Sequence, residues 1–373
     1  MPEDGPRILF FGGGTALREV CHRLIRYTHN SIHLLTPFDS GGSSAHLRKA
    51  FRMLAVGDLR NRLLALADHT VHGQPQIFDL FAYRLPLDAE RDDLHRTLEG
   101  MARGNDPLVA AIHEPMRQII RNHLRFFIQE MPDAFDLRGA NIGNLILTGG
   151  YLNQNRRIDP VVFLFSKLVE VRGVVRPVAT SDLHLCAQLK DGQVLVGQHL
   201  LTRRGEGAIS SPVQRVFLTR KIREPEPVTL KIRGKTHELI QSAEAICYPM
   251  GSFYSSLIAS LLPIGIGDAI ADMCVPKVYI PNGGVDVEQY GMTLSNSVKT
   301  LIRYLRSGCS RRVATGDLLQ FVLLDARNGS YEARELDMIQ ELGVEVVDVP
   351  MMTDDSAPYW DAHRLIEVLV SLV

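Results

Sequence analysis

Apolar positions along this chain keep two different rhythms, and the rhythms alternate. Ile8–Gly12 is a short unbroken apolar run, the mark of a strand buried on both faces. Leu17, Val20, Cys21, Leu24 and Ile25 then recur at helical spacing. A second apolar run covers 31–37 and is closed by Pro37. The stretch DSGGSS follows, then a helical pattern over about 45–54 and another over 57–68, which begins with turn residues. This β-α-β-α order predicts an α/β fold, a parallel sheet with helices on both faces.

The pattern is then interrupted. From about 70 to 150 it is mostly helical. Ile112, Met116, Ile119, Ile120, His123 and Phe127 share one apolar face, and Arg117, Arg121 and Arg125 form a basic line that reads as a solvated surface. From about 168 to 232 the segments VRGVVRPVAT, LHLCAQLKDG, QVLVGQHLL and VQRVFLT read as strands, with Lys190-Asp191-Gly192 as a hairpin turn. From 236 onward core strands are expected in AEAICYP, VPKVYIPN, QFVLLDA and VEVVDVP. Helices are expected between and after them near 253–261, 295–306, 331–342 and 360–371, with Trp360 packing the last against the core.

Composition narrows the functional classes. The 373 residues are 45% hydrophobic and 22% charged with a formal charge of −1, so no global field favours nucleic acid or an anionic membrane. Cys21, Cys186, Cys247, Cys274 and Cys309 form no CxxC pair, which argues for a reducing, cytoplasmic setting over a disulfide framework. The start, MPEDGPRILFF, does not read as a signal peptide. The most apolar segment, 257–271, is broken by Pro263, Gly265, Gly267 and Asp268 and is too short to span a bilayer.

Three small-residue loops follow expected strands, where open parallel sheets bind ligands. In Gly12-Gly13-Gly14-Thr15, glycines let backbone amides approach an anion and the threonine hydroxyl adds a donor. Asp39-Ser40-Gly41-Gly42-Ser43-Ser44 supplies glycines and hydroxyls beside a carboxylate that suits a metal, a ligand hydroxyl or a reacting proton. In the third loop, 249–256, Gly251, Ser252, Ser255 and Ser256 fall near the first turn of a helix. One such loop is an ordinary turn and cap. Three together predict a ligand carrying more than one phosphate, or a phosphate and a sugar. A GxGxxG fingerprint is missing, since Leu17 stands at its third glycine, which disfavours an NAD-type oxidoreductase. GxxxxGK[ST], HExxH and GxSxG are missing too.

These residues resemble the 2-phospho-L-lactate transferase (CofD-like) family, and more closely its nucleotide-sugar-binding, gluconeogenesis-factor (YvcK-like) branch. GGGTA at 12–16 is similar to that branch's GGGTG, and DSGGSSAHLR at 39–48 to its DDGGSSG followed by LR. Gly57-Asp58-Leu59-Arg60-Asn61 matches GDxRN, and Gly143-Asn144-Leu145-Ile146-Leu147 matches GNLLL. The strand-rich pattern from Val171 to Gly197 corresponds as well. PMGSFYSS at 249–256 resembles GPGSxYTS, and Lys277 to Asn282 resembles KVYxxN. The correspondence covers roughly 7–310.

The resemblance implies a single Rossmann-like domain over 1–373, with the helical insertion at about 70–150 and the strand-rich segment 168–232 within it. It implies a binder of a nucleotide diphosphate or nucleotide-sugar, regulatory or of unassigned catalytic role. The alternative it implies is a magnesium-dependent transferase, moving a phosphate-ester group from a nucleotide-diphosphate donor to a hydroxyl acceptor. Ligand contacts are expected at Gly13, Gly14, Thr15, Ser43, Ser44, Arg60, Asn61, Asn144, Gly251, Ser252, Ser255, Ser256 and Asn282. Asp39 is the expected catalytic residue and magnesium ligand, and a homodimer is the default oligomer for this class. Ser40 stands where the branch has a second aspartate, which removes a charge that would hold a metal or activate a nucleophile. Ala16 for glycine narrows the backbone at the first turn, and Met250 stands for proline.

Overall fold

Strands form where the apolar runs lie. In the computed structural model, which describes residues 1–68, 75–329 and 331–373, they are β1 (Ile8–Gly12), β2 (Ile32–Leu35), β3 (Val174–Pro177), β4 (His184–Leu189), β5 (Val194–Val196), β6 (Val213–Thr219), β7 (Ala245–Tyr248), β8 (Lys277–Tyr279), β9 (Phe321–Leu324) and β10 (Glu345–Asp348). The chain divides into two compact units. Met1–Phe38, Gly173–Ala179 and Leu183–Val373 make the first; Asp39–Arg172 and Thr180–Asp182 make the second.

The first unit holds a seven-stranded parallel sheet in the order β10-β9-β8-β7-β1-β2-β3. Every residue of β1, β2, β7 and β8 is buried, as expected of central parallel strands covered on both faces. From β1 the chain winds outward through β2 to β3; from β7 it winds the opposite way through β8 and β9 to β10. The winding therefore reverses between β1 and β7, whose neighbouring registers include Ile8 opposite Ala245 and Phe10 opposite Cys247.

The strand-rich segment 168–232 is shared between two sheets. β3 joins the parallel sheet beside β2, with Ile32 opposite Val174. β4, β5 and β6 form a separate antiparallel sheet in the order β5-β4-β6. The expected hairpin closes at Lys190-Asp191-Gly192, where Leu189 N–H donates to Gln193 O at 2.8 Å. QHLL, expected as strand, is instead a short helix, Gln198–Leu201: Gly197 at φ 112° turns the chain out of the ladder.

The helix expected at 253–261 exists, but its first six residues wind as a π-helical turn, Phe253–Ile258. A helix over Ile266–Ala271, hidden in the sequence by its glycines, follows. The helices Leu294–Ser307, Ala333–Gln340 and Ala362–Ser371 agree with expectation. Trp360 is buried beside the last and donates its indole N–H to Pro281 O at 2.7 Å.

The second unit is helical. Of the stretch expected to be helical from about 70, residues 70–74 lie outside the described residues. Pro75–Ala82, Arg91–Arg103, Pro107–Ala110, Met116–Glu130, Ile142–Asn153 and Ile158–Leu168 account for most of the rest, preceded by Gly42–Phe51 and Gly57–Ala65. Ile142–Asn153 is the axis of this unit, buried from Ile142 through Tyr151. Asn141 caps it, accepting from Asn144 N–H at 3.0 Å while donating to the carbonyls of Ala82 and Tyr83. Gly149 lets the Met116–Glu130 helix close in, because a Cβ there would collide with the His123 carbonyl. Among the described residues no helix is long and apolar enough to cross a membrane.

Candidate functional site

The expected site residues separate by unit. Gly13, Gly14, Thr15, Gly251, Ser252, Ser255, Ser256 and Asn282 belong to the first; Asp39, Ser43, Ser44, Arg60, Asn61 and Asn144 belong to the second.

In the first unit, the glycine turn after β1 and the turn after β7 lie side by side because those strands are neighbours. Gly14 has φ +63° and Gly251 φ +139°, conformations that L side chains rarely adopt. The position a Cβ would take on Gly14 is 3.7 Å from Ser256 Oγ, and that on Gly251 is 3.4 Å from Ala16 Cβ. The amides of Gly13, Gly14 and Thr15 donate to no oxygen among the described residues. The helix after this turn begins only at Arg18, whose N–H bonds Thr15 O at 2.9 Å. Its first amides therefore stand beyond the glycines, and the turn itself presents the donors.

The third loop differs from the sequence picture. Its helix N-terminus is already capped by carboxylates from 33 to 34 residues further on. Phe253 N–H donates to Asp286 Oδ2 at 2.8 Å, and the N–H groups of Tyr254 and Ser255 donate to Glu288 Oε2 at 2.7 and 2.8 Å. Ser255 Oγ donates to Glu288 Oε1, so that hydroxyl is committed to holding the turn. Asn282 clamps Gly251 from both sides, accepting from its N–H and donating to its carbonyl, each at 2.8 Å. The groups left partly open to a ligand here are those of Gly251 and Ser252, both half-buried, with Ser256 buried.

Asp286 and Glu288 escaped the sequence reading. The available signal was a pair of acids two apart, VDVE, in a loop following a core strand. Asp286 accepts from Glu288 N–H at 3.0 Å. Burial and the neighbouring Asp286 push the Glu288 carboxyl up to about 7, and burial raises Asp286 in the same direction. Gln198, in the short helix missed above, donates to Ser255 Oγ at 3.4 Å. Its own Oε1 is buried with no partner among the described residues.

In the second unit three matched segments meet. Asp39 Oδ1 accepts from Gly41 N–H at 2.9 Å, and Arg48 holds the Asp39 carbonyl at 3.1 Å. Arg48 is itself buried and pairs with Asp182 at 3.1 Å. It positions Asp39, a role its place in the motif did not announce. The helix starts at Gly42, so Ser43 and Ser44 stand inside its first turn rather than before it. Gly57 packs where any Cβ would stand 2.6 Å from Ser44 Oγ and 3.4 Å from Asp39 Oδ2. Asn144 Nδ2 donates to Ser43 Oγ at 3.3 Å, and Arg60 Nη2 donates to Asn61 Oδ1. Among the described residues no group of three or more His, Cys, Asp or Glu gathers to hold a metal. A magnesium ion on the single Asp39 carboxylate would complete its shell with ligand oxygens and water, which is that ion's habit.

Residues 8–352 match the family model described as 2-phospho-L-lactate transferase CofD. The gluconeogenesis factor of Bacillus subtilis is 27% identical over 377 residues, covering 99% of this chain and 98% of that protein. A putative gluconeogenesis factor from Nostoc is 30% identical over 308 residues, 83% of this chain and 53% of that longer protein. A crystal structure of a Bacillus halodurans protein superposes with a TM-score of 0.71 at 22% identity, covering 98% of this chain and all of that one, a likeness of fold.

Proposed function

We propose that this chain, which belongs to the 2-phospho-L-lactate transferase CofD family, binds the diphosphate of a nucleotide or nucleotide-sugar on the turns that follow β1 and β7. The observation that carries this reading is the position of those turns. They stand at the carboxyl ends of the two strands between which the winding reverses, where open α/β sheets bind their ligands. The amides of Gly13, Gly14 and Thr15 are the donors offered to phosphate oxygens. Gly251, Ser252 and Ser256 line the neighbouring turn, while Ser255 and Asn282 keep that turn in shape. Similarity to gluconeogenesis factors favours a regulatory binder, and the five free cysteines suit a reducing cytoplasm.

A second reading, transfer of a phosphate-ester group to a hydroxyl acceptor, is favoured by one observation: Arg48 fixes the backbone of Asp39. There Asp39 would take the acceptor's proton, and magnesium would supply charge neutralisation at the transferring group. On that reading Asp39→Asn loses turnover and keeps nucleotide affinity; on the binder reading there is no turnover to lose.

Thermal-shift titration with guanosine and uridine diphosphates and their sugars, with and without magnesium, tests both. A ligand at 100 times its Kd adds about 2.7 kcal/mol of stability. Gly14→Val should abolish the shift. No shift with any nucleotide in the native chain would sink the diphosphate reading.

A further inference from the structure

The turn after β7 is held by more negative charge than a cap requires. A helix N-terminus is ordinarily closed by one hydroxyl, carboxamide or carboxylate beside it in the chain. Here the amides of Phe253, Tyr254 and Ser255 are filled by two acids of another loop, Asp286 and Glu288. The turn they hold is wound as a π-helix, a form found frequently at functional sites. Glu288 is 0% exposed, and the Ser255 hydroxyl, itself reached by Gln198 at 3.4 Å, donates to it. Burying both acids as anions is costly.

The pair is tied to the glycine turns by short contacts. Asp286 Oδ2 accepts from Phe253 N–H at 2.8 Å and from Asn282 Nδ2 at 3.5 Å. The same Asn282 Nδ2 donates to Gly251 O at 2.8 Å. Gly251 in turn lies against Ala16, and Gly14 against Ser256. A charge that appears on the pair therefore acts on the turns offered to the diphosphate, through its field and through Asn282.

The groups around the pair come from four further elements. Tyr254 lies on the π-helical turn, with Arg303 and Tyr304 of the helix Leu294–Ser307 behind it. Tyr279 on β8 and Arg204, in the loop after the short helix Gln198–Leu201, act with Asp286. Burial pushes the three tyrosines up, away from neutrality, and the arginines stay charged. The acid pair is what changes its charge near neutral pH, and it titrates as a unit.

We propose that the Asp286–Glu288 pair makes the nucleotide site proton-responsive: a diphosphate that binds on the turns draws a proton onto the pair, and affinity falls as that proton is lost. This deepens the diphosphate reading and rests on it. The sign follows from the charges. An anion on the turns raises the cost of a second negative charge beside them, so the complex holds the proton more firmly than the free chain. Affinity is then highest at low pH and declines as pH rises through about 7.

The test is calorimetric titration of the full chain with UDP-glucose and GDP-mannose, whose phosphates carry no proton that titrates near neutrality. At pH 7, in two buffers of different ionisation enthalpy, the native chain should take up about 0.3 proton per ligand; its Kd should rise about threefold from pH 6 to pH 8.5. Glu288→Gln, neutral throughout, should lose both effects and bind at every pH as the native chain does at pH 6. Asp286→Asn keeps an acceptor for Phe253 N–H and removes the charge facing Glu288. It should move the decline in affinity to lower pH, and it serves if Glu288→Gln fails to fold. If only plain UDP or GDP binds, the ligand's own phosphate titration is common to native and variant chains and cancels in their comparison. The proposal is overturned if the native chain binds without proton uptake, or if both variants keep the native pH dependence. If no nucleotide binds at any pH, the diphosphate reading has failed and this inference falls with it, a result distinct from binding without proton exchange.

Discussion

Replacing Glu288 by glutamine tests a carboxyl that burial holds well above the usual carboxylate range. Glu288 is fully buried, faces Asp286, and has its pKa raised from 4.5 to about 7. Three donors, two amides and the Ser255 hydroxyl, favour the anion, but the cost of burying a charge beside another acid outweighs them. Between pH 4.5 and 7 the folded chain therefore holds a proton that the unfolded chain has released. Stability from this group is complete below about pH 4.5 and is lost as pH rises to 7. The total loss is about 3 kcal/mol, taking 1.36 kcal/mol for each pKa unit.

Glutamine is neutral throughout. Its carbonyl can accept from the Tyr254 and Ser255 amides, and its NH2 can donate to Ser255 Oγ, freeing that hydroxyl to turn toward Gln198. The native chain and Glu288→Gln should be unfolded by urea at pH 5 and at pH 8. The stability difference between them should move by about 2.5 kcal/mol in favour of glutamine at the higher pH, because about 0.8 kcal/mol of the loss is already present at pH 5. An unchanged difference would mean that Glu288 is ionised at both values, refuting the argument from burial.

Three steric and electrostatic predictions follow from the packing. Gly149→Ala drives a methyl into the His123 carbonyl, and should lower stability by about 3 kcal/mol or more in chemical denaturation. Gly57→Ala must displace Ser44, part of the first turn beside Asp39, and should lower the melting temperature by an amount reflecting about 1–3 kcal/mol. Arg48→Met removes the donor to the Asp39 carbonyl and to Asp182; because Asp182 is partly exposed and can be solvated, the loss should be about 1–2 kcal/mol, and Arg48→Lys should restore only part of it.

Much of the fold is legible in the chain itself. Runs such as ILFFG and AICY become central strands, because a continuous apolar segment is stable only where both faces are covered. The turn Lys190-Asp191-Gly192 is readable because hairpin closure is a local matter of φ and sequence. The glycine turn after β1 is readable for the same reason. Local sequence says nothing of strand order, and so could not place that turn beside the one after β7. It also could not divide the segment from 168 to 232 between two sheets.

The candidate site shows the same boundary. That Gly13, Gly14 and Asp39 carry suitable chemistry is a property of residue type and spacing, while Arg60 and Asn144 are pointed to by the family resemblance alone. That the amides of Gly13, Gly14 and Thr15 remain available, while those of Phe253, Tyr254 and Ser255 are filled by Asp286 and Glu288, is a property of contacts across more than 30 residues. The Arg48–Asp182 pair spans 134. Periodicity and turn chemistry act over a few residues, so they determine the elements and their loops. Which donors are satisfied, and which charges are stranded, depends on side chains that only folding brings together.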